Sequence, residues 1–463
     1  MASDRNEQIL EHNDESKDEP VSFERAVSET GFGKFNYKLI VMSFLGACAV
    51  GFNSLTMSYV SPKAQCDLSL NLMDQGMLNA SSIAGKMTSM LLWGVFANLL
   101  GRRLTLVYGC LISTLIDVVT MFANDLWTIA SLRFLSGFMI SGPYSCLMVY
   151  LSEFHSSKYR SHVVTLYGIG FGGANTLLPL LAWLILPLNN ITIESYVIYS
   201  WQLFIGVCTL PNLACGLMCI TLPESPKFLM TFGKNQEALD VFRTMYFTNT
   251  GHSTYPISQL EKEFVTNNSQ VSNTKSVTHA IKEGWYQIKP IFFRCQLWKM
   301  ILVIVMQFNM LLGTYAMKFW TPQLFISMDK YRQDHNYTDD ATLCDMISYS
   351  FNKTEPEFSN ITTVVTEVYL SNITSTCETV SNHTVIVNLL VSITVDLFPT
   401  TVRAMAVSLS LMFGRSGSVV GSIVFPILLV LGCLPPVLLL GGVVFICLLL
   451  VFMLPRVKDE DFE

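Results

Sequence analysis

From residue 37 onward the chain alternates long apolar stretches with short polar ones. Apolar stretches run at about 37–60, 76–99, 104–123, 127–150, 161–187, 200–222, 299–325, 404–432 and 434–454. A helix rises 1.5 Å per residue, so a hydrocarbon core of ~30 Å needs about 20 apolar residues. Each stretch therefore predicts a membrane-spanning α-helix. A shorter one at 385–398 would span only about 20 Å as a helix. It must thin the bilayer, borrow residues from its neighbour or sit re-entrant. The predicted class is an all-α polytopic membrane protein, with six N-terminal spans and an incomplete C-terminal bundle of about four.

The polar intervals divide the chain. Residues 1–36 read as a disordered cytosolic tail, acidic and without the apolar core of a signal peptide. The six-helix bundle follows at 37–222 and a cytosolic inter-bundle loop at 223–298. The second half opens with the span 299–325, continues through an outside segment at 326–384 and the remaining spans within 385–454, and closes on a cytosolic tail at 455–463. No myristoylation or prenylation motif is present.

Charge orients these pieces. Arg102, Arg103, Lys158, Arg160, Arg403, Arg456 and Lys458 fall in loops on one side, and the alternate loops near Asn124, Asn190 and Leu434 hold almost none. Cytosolic loops carry the lysine and arginine excess, so both termini are expected inside. The segment 326–384 then falls outside. Sequons at Asn336, Asn352, Asn360, Asn372 and Asn382 cluster there, and Asn190 heads another outside sequon, so N-glycans are expected partners. The Val, Thr and Ile content around 361–370 would support a few strands.

Composition agrees and excludes other classes. Of 463 residues, 51% are hydrophobic and 14% charged, against about 25% charged in soluble domains. The partners expected are the lipid bilayer and a small-molecule solute. The net charge of -6 offers no basic field for nucleic acid. No P-loop, metal-ligand spacing or nucleophile–base set stands out, so neither an enzyme, a cofactor nor a metal is expected. Of the 12 cysteines, Cys66, Cys344 and Cys377 lie outside, and a Cys344–Cys377 disulfide is the expected pairing.

An internal repeat is visible. Glu153 and Arg160 follow the fourth span with the spacing of Asp396 and Arg403 later on. If the two are equivalent, the last three spans match spans four to six and 299–325 matches span one. Counterparts of spans two and three are missing.

These motifs resemble the major facilitator superfamily. Gly94-Val-Phe-Ala-Asn98-Leu-Leu-Gly101-Arg102-Arg103 resembles its signature loop between spans two and three. Arg133-Phe-Leu-Ser-Gly137 and Leu222-Pro-Glu-Ser-Pro-Lys-Phe228 resemble its sugar-porter and organic-ion branches. Gly31-Phe-Gly-Lys-Phe35, Pro223-Glu-Ser-Pro226 and Val395-Asp-Leu-Phe-Pro399 make the chain most similar to the synaptic vesicle glycoprotein 2 group within them. The resemblance implies two helical bundles rocking around a central site, without ATP. It also implies a location in the plasma membrane or a secretory or synaptic-type vesicle. Four positions depart from the pattern. Asn98 stands where the signature has an acid and Leu99 where it has a base, and Val50 and Asn53 replace acids of span one.

Charges inside spans cost about 2.5–3.5 kcal/mol at a helix centre and so mark function. They are Lys86, Asp117, Arg133, Lys318 and Arg415. Asp117 reads as a proton or cation site or an interior anchor, with Lys86 a candidate partner. Arg133 and Lys318 are expected to snorkel toward the outside. Arg415, in Gly414-Arg-Ser-Gly417, is read as a substrate contact or a packing element. Asp117, Lys86, Arg133 and Arg415 are the pathway candidates. Glu153, Arg160, Asp396 and Arg403, with Gly94, Gly101, Arg102 and Arg103, are the candidates for a cytosolic gate. Trp93, Trp201, Trp298 and Trp320 read as interfacial belt.

Two functions remain open at this point. One is alternating-access secondary transport of a small organic ion or sugar-like solute, with proton or cation coupling. The other is a non-transporting membrane or vesicle glycoprotein, or a truncated isoform of a twelve-span transporter.

Overall fold

The computed structural model describes residues 20–193, 196–261, 294–335, 344–346 and 400–453. The short apolar stretch 385–398, the strands expected around 361–370, Cys377, Asp396 and the sequons Asn336, Asn352, Asn360, Asn372 and Asn382 lie outside the described residues.

The first half holds α1 (Phe23–Glu29), α2 (Lys34–Ala64), α3 (Leu72–Leu100), α4 (Arg102–Met121), α5 (Leu126–Glu153) and α6 (Ser157–Ile185). A hairpin of β1 (Ile191–Ile193) and β2 (Tyr196–Ile198) precedes α7 (Ser200–Cys208) and α8 (Leu210–Ile220). Its strands pair antiparallel, Ile191 opposite Ile198. The sixth span is the α7–α8 pair, interrupted at Thr209 because Pro211 sets the start of a new helix. Then come α9 (Pro226–Thr231), α10 (Asn235–Thr250), α11 (Arg294–Asp334), α12 (Thr400–Leu431) and α13 (Leu434–Phe452). Among the described residues, eight segments are long and apolar enough to cross a membrane. With α3, the first half supplies six spans and the second half three. Helix starts follow their polar residues: Asn71 and Asp74 form a reciprocal capping box on α3, and Asp125 caps α5 through Thr128 N at 2.8 Å.

Small residues let the helices touch backbone to backbone. A Cβ on Gly85 of α3 would lie 2.8 Å from Phe138 N of α5, and one on Gly137 would meet the Ser82 carbonyl. On the other side, Gly417 and Gly421 of α12 press on the carbonyls of Phe308 and Leu312 in α11. Gly76 of α3 abuts Ser422 of α12 and so joins the halves. One apolar core spans both, through Trp201, Phe204, Phe319, Trp320 and Phe425. Trp201 and Trp320 are each 1% exposed, with indole N–H groups donating to Asp67 and the Ser422 carbonyl. Trp201 and Trp320 are therefore core residues and not part of an interfacial belt. By contrast α13 is apolar all round and presents Val437, Leu438, Val444 and Phe445 outward, as a lipid-facing helix does.

Two expectations need correction. The tail assigned to 1–36 is structured from Val21: α1 buries Ala26 and Val27 against Phe242, Met245 and Tyr255. Val21 N donates to Gln259 O (3.1 Å) and Tyr255 OH donates to Ala26 O (2.6 Å). The apolar residues spaced through this polar stretch suffice for an amphipathic turn once α10 offers a surface. The second correction concerns the disulfide. Cys344 bonds Cys433, at a Cα–Cα distance of 5.3 Å, instead of Cys377. Cys433 ends the α12–α13 turn, between two apolar stretches, where the sequence did not mark it as lying outside.

Candidate functional site

The deepest polar cluster sits within the first bundle. Arg133 is 2% exposed and pairs with Asp117, Nη1 to Oδ1, at 2.9 Å. Its Nη2 also donates to the Asn53 carbonyl. Asn53 Nδ2 donates to Ser136 Oγ (2.8 Å) and Asp117 Oδ2 (3.4 Å), while Asn53 Oδ1 accepts from Ser82 Oγ (2.6 Å). Arg133 therefore does not snorkel outward. Asp117 and Arg133, 16 positions apart, lie on the two arms of a helical hairpin that sets their side chains face to face. A void of about 10 Å³, room for one water, borders this pair between Asn53, Thr56, Asp117, Arg133 and Asn212. Arg133 Nε is buried beside it with no protein partner.

Lys86 does not pair with Asp117, because Arg133 occupies the carboxylate. Its Nζ donates to Ser54 Oγ (2.6 Å) and to the Val50 carbonyl (3.5 Å). Two cations of the second half reach the first. Lys318 of α11 donates to Asn175 Oδ1 of α6 at 3.3 Å, an inward contact in place of the expected snorkel. The Arg415 guanidinium of α12 lies 5.4 Å from the ring centroid of Tyr144 in α5. The glycines beside it, Gly414 and Gly417, pack on Gln307 and Phe308. Close packing and a cation turned to the interface thus coexist in one motif.

The end of the first bundle that carries Arg102 holds a second network. Helix α4 starts at Arg102, and Glu224 from the loop after α8 accepts its first amides. Arg102 N lies 2.9 Å from Glu224 Oε1, and Arg103 N lies 3.1 and 3.2 Å from its two oxygens. A carboxylate suits this place because the first amides of a helix are unpaired and carry partial positive charge. Gly101 has φ +93°, and a Cβ there would run into that carboxylate. Arg102 lies 3.6 Å from Glu153 and stacks on Phe228 at 4.8 Å, and Ser225 donates to Glu153. Arg103 donates to the Ile220 carbonyl at 2.7 Å.

Among the gate candidates, Glu153, Gly101, Arg102 and Arg103 come together. Arg160 instead pairs with Glu24 of α1, at 2.5 Å, since Arg102 already claims Glu153. Gly94 lies within α3 and Arg403 in the first turn of α12. Asn190 is exposed at the hairpin, its side chain accepting from Ser200 N at 3.4 Å. Reasoning from sequence assigned no role to Glu224, Ser225, Ser54 or Asn175. Only Glu224 had a signal: an acid in Pro223-Glu-Ser-Pro226, just before a proline-started helix, while the signature loop lacked its own acid at Asn98.

Comparison with known proteins fits this arrangement. The chain is 26% identical over 339 residues to synaptic vesicle glycoprotein 2B of Rattus norvegicus, covering 68% of this chain and 48% of that protein. It is 25% identical over 324 residues to synaptic vesicle glycoprotein 2A of Homo sapiens, covering 65% and 43%. The chain therefore spans about half the length of the curated relatives it matches. In fold it is similar to the inward-open xylose transporter XylE from E. coli, with a TM-score of 0.62 at 14% identity over 92% of this chain and 98% of that one. That is the major facilitator fold, here with its second half partial. The model of the family described as "Sugar (and other) transporter" matches residues 32–332, well over half of the chain, and the chain belongs to that family.

Proposed function

We propose that this chain works as a secondary transporter that moves a small organic solute, sugar-like or ionic, by rocking its two halves. The observation that carries the reading is the polar interface at mid-depth. Lys318 and Arg415 from the second half end on Asn175 and Tyr144 of the first. Burying such groups between helices costs energy unless something uses them. The Glu224–Arg102–Glu153 network would hold the first bundle's cytosolic end in one arrangement, and Asp117 with Arg133 is the candidate for proton or cation coupling. Uptake of labelled D-xylose into proteoliposomes, with and without a proton gradient, tests this. Gradient-dependent accumulation that Asp117→Asn abolishes is expected. No accumulation above empty liposomes for any solute of a broad panel would sink it.

The topology proposed with it has both termini cytosolic and glycans on Asn190, Asn336, Asn352, Asn360, Asn372 and Asn382. Glycosidase treatment should lower the apparent mass by several glycans, and an unchanged mass would refute the orientation. A second reading, a membrane glycoprotein that does not itself transport, is favoured by the unequal halves among the described residues, six spans against three. The same uptake assay separates the two.

A further inference from the structure

The charges set deep in the described spans do not balance. Lys86, Arg133, Lys318 and Arg415 stand against Asp117, which Arg133 already neutralises. Three basic side chains therefore remain, none of which meets a carboxylate among the described residues, and of these the Arg415 guanidinium keeps its charge even when buried. Lys86 is 4% exposed and makes only neutral contacts, with Ser54 and the Val50 carbonyl. Lys318 contacts the neutral side chain of Asn175. Arg415 Nη1 is buried with no hydrogen-bond partner among the described residues.

Two of these groups, Lys318 and Arg415, reach across the interface between the halves. The Arg415 guanidinium lies 5.4 Å from the Tyr144 ring centroid, and its charge also bears on Lys86, Tyr167 and Tyr315. Tyr144 and Tyr167 stand 6.3 Å apart, centroid to centroid, and Lys318 lies 5.9 Å from the Tyr315 ring. Tyr144 of α5 thus lies against the guanidinium with Tyr167 of α6 next to it, and Tyr315 of α11 is within reach of its charge. An uncompensated cation in a medium of low dielectric attracts a counter-charge strongly. A guanidinium fork suits an oxyanion held through two parallel hydrogen bonds, and flanking phenol rings suit a flat apolar body.

We propose that the interface between the halves binds a small organic anion, with its carboxylate or similar oxyanion on Arg415 beside Lys86 and its apolar body against Tyr144, Tyr167 and Tyr315. Lys318 supplies a second positive edge. This names the solute class of the transport reading and rests on it for physiological meaning, but binding itself is measurable without transport.

The test is equilibrium binding of radiolabelled benzoate to the purified full-length glycoprotein in detergent. Saturable binding is expected. Phenylacetate should compete, and the isosteric neutral benzyl alcohol and cationic benzylamine should compete at least tenfold less well. Arg415→Gln should weaken binding at least tenfold and Arg415→Lys less. Arg243→Gln, on exposed α10 and ion-paired with Asp240, should change nothing. If Arg415→Gln does not fold, the ranking of benzoate over benzyl alcohol on the unaltered protein decides the matter. Absent binding, equal competition by benzyl alcohol, or a folded Arg415→Gln that binds normally would each overturn the inference. Benzoate binding without uptake in proteoliposomes would defeat the transport reading and leave this one standing. D-xylose uptake without benzoate binding would do the reverse.

Discussion

Arg133 and Asp117 form a buried ion pair at 2.9 Å in which the arginine is 2% exposed and the acid 4%. Asn53 and Ser136 complete the cluster around it. Such a pair adds little net stability when whole, because desolvation offsets attraction, but removing one partner strands the other. Asp117→Ala is therefore expected to destabilise the detergent-solubilised protein by about 3–5 kcal/mol. Asp117→Leu with Arg133→Met should recover most of that loss. Thermal unfolding followed by tryptophan fluorescence reads both. A single substitution as stable as the double one would mean that the pair is not energetically coupled.

Glu224 closes the start of α4 from a distant part of the chain. Losing a cap that serves two backbone amides costs about 0.5–2 kcal/mol, and the Arg102 guanidinium also loses a nearby negative charge. Glu224→Ala should lower the unfolding midpoint and open the cytosolic end. Increased labelling of Cys146, a buried thiol near that end, by a membrane-permeant maleimide reports the opening. Glu224→Gln keeps an acceptor oxygen and should fall between. If the alanine variant unfolds and labels as the parent does, the cap is not what holds this end.

The helices were legible in the sequence and the partners of their charges were not. Length and hydropathy alone place nine spans, because the bilayer fixes both. The presence of a charge within a span can also be read, and it singles out Lys86, Asp117, Arg133, Lys318 and Arg415. Which way each side chain faces depends on helix rotation, and that is set by glycines such as Gly85 and Gly137 at crossings no local pattern reveals. Hence Arg133, read as snorkelling outward, turns inward to Asp117, and Lys86 loses the partner assigned to it. The amphipathic turn of α1 was hidden for a related reason. Its few apolar residues gain a surface only when α10, more than 200 residues later, folds beneath them.

His155 predicts a pH dependence. It follows the C-terminal end of α5, where burial holds its imidazole below the usual value of 6.5, with the Leu151 carbonyl hydrogen bond opposing and the Arg160 charge adding to the depression. Nδ1 lies 2.7 Å from that carbonyl, and Nε2 is buried without a partner. A second proton would have to enter this dry, unpartnered position. Because the folded value lies below the unfolded one, the unfolded chain binds the proton first as pH falls. Stability is therefore complete above about 6.5 and declines as pH drops from there to the folded value, below which it levels off. The unfolding midpoint at pH 5 should sit below that at pH 7.5. In His155→Gln the gap should shrink, and an unchanged gap would assign the dependence to another group.

The Cys344–Cys433 bond ties the segment after α11 to the turn between α12 and α13, across a sequence separation of 89. In the chain-entropy account, closing a loop of that length removes about 4–5 kcal/mol of disorder from the unfolded chain. That is large beside the few contacts that hold α13, of whose most apolar window only 11% is buried. Cys433→Ser should therefore loosen the last span before it affects the first bundle. Limited proteolysis from the outside is expected to release an α13-containing fragment sooner, with the 20–261 region still protected. Mass spectrometry of non-reduced peptides checks the pairing directly. A Cys344 peptide joined to Cys433 is the expected product. One joined to Cys377 would restore the pairing read from the sequence, and α13 would then be held by packing alone.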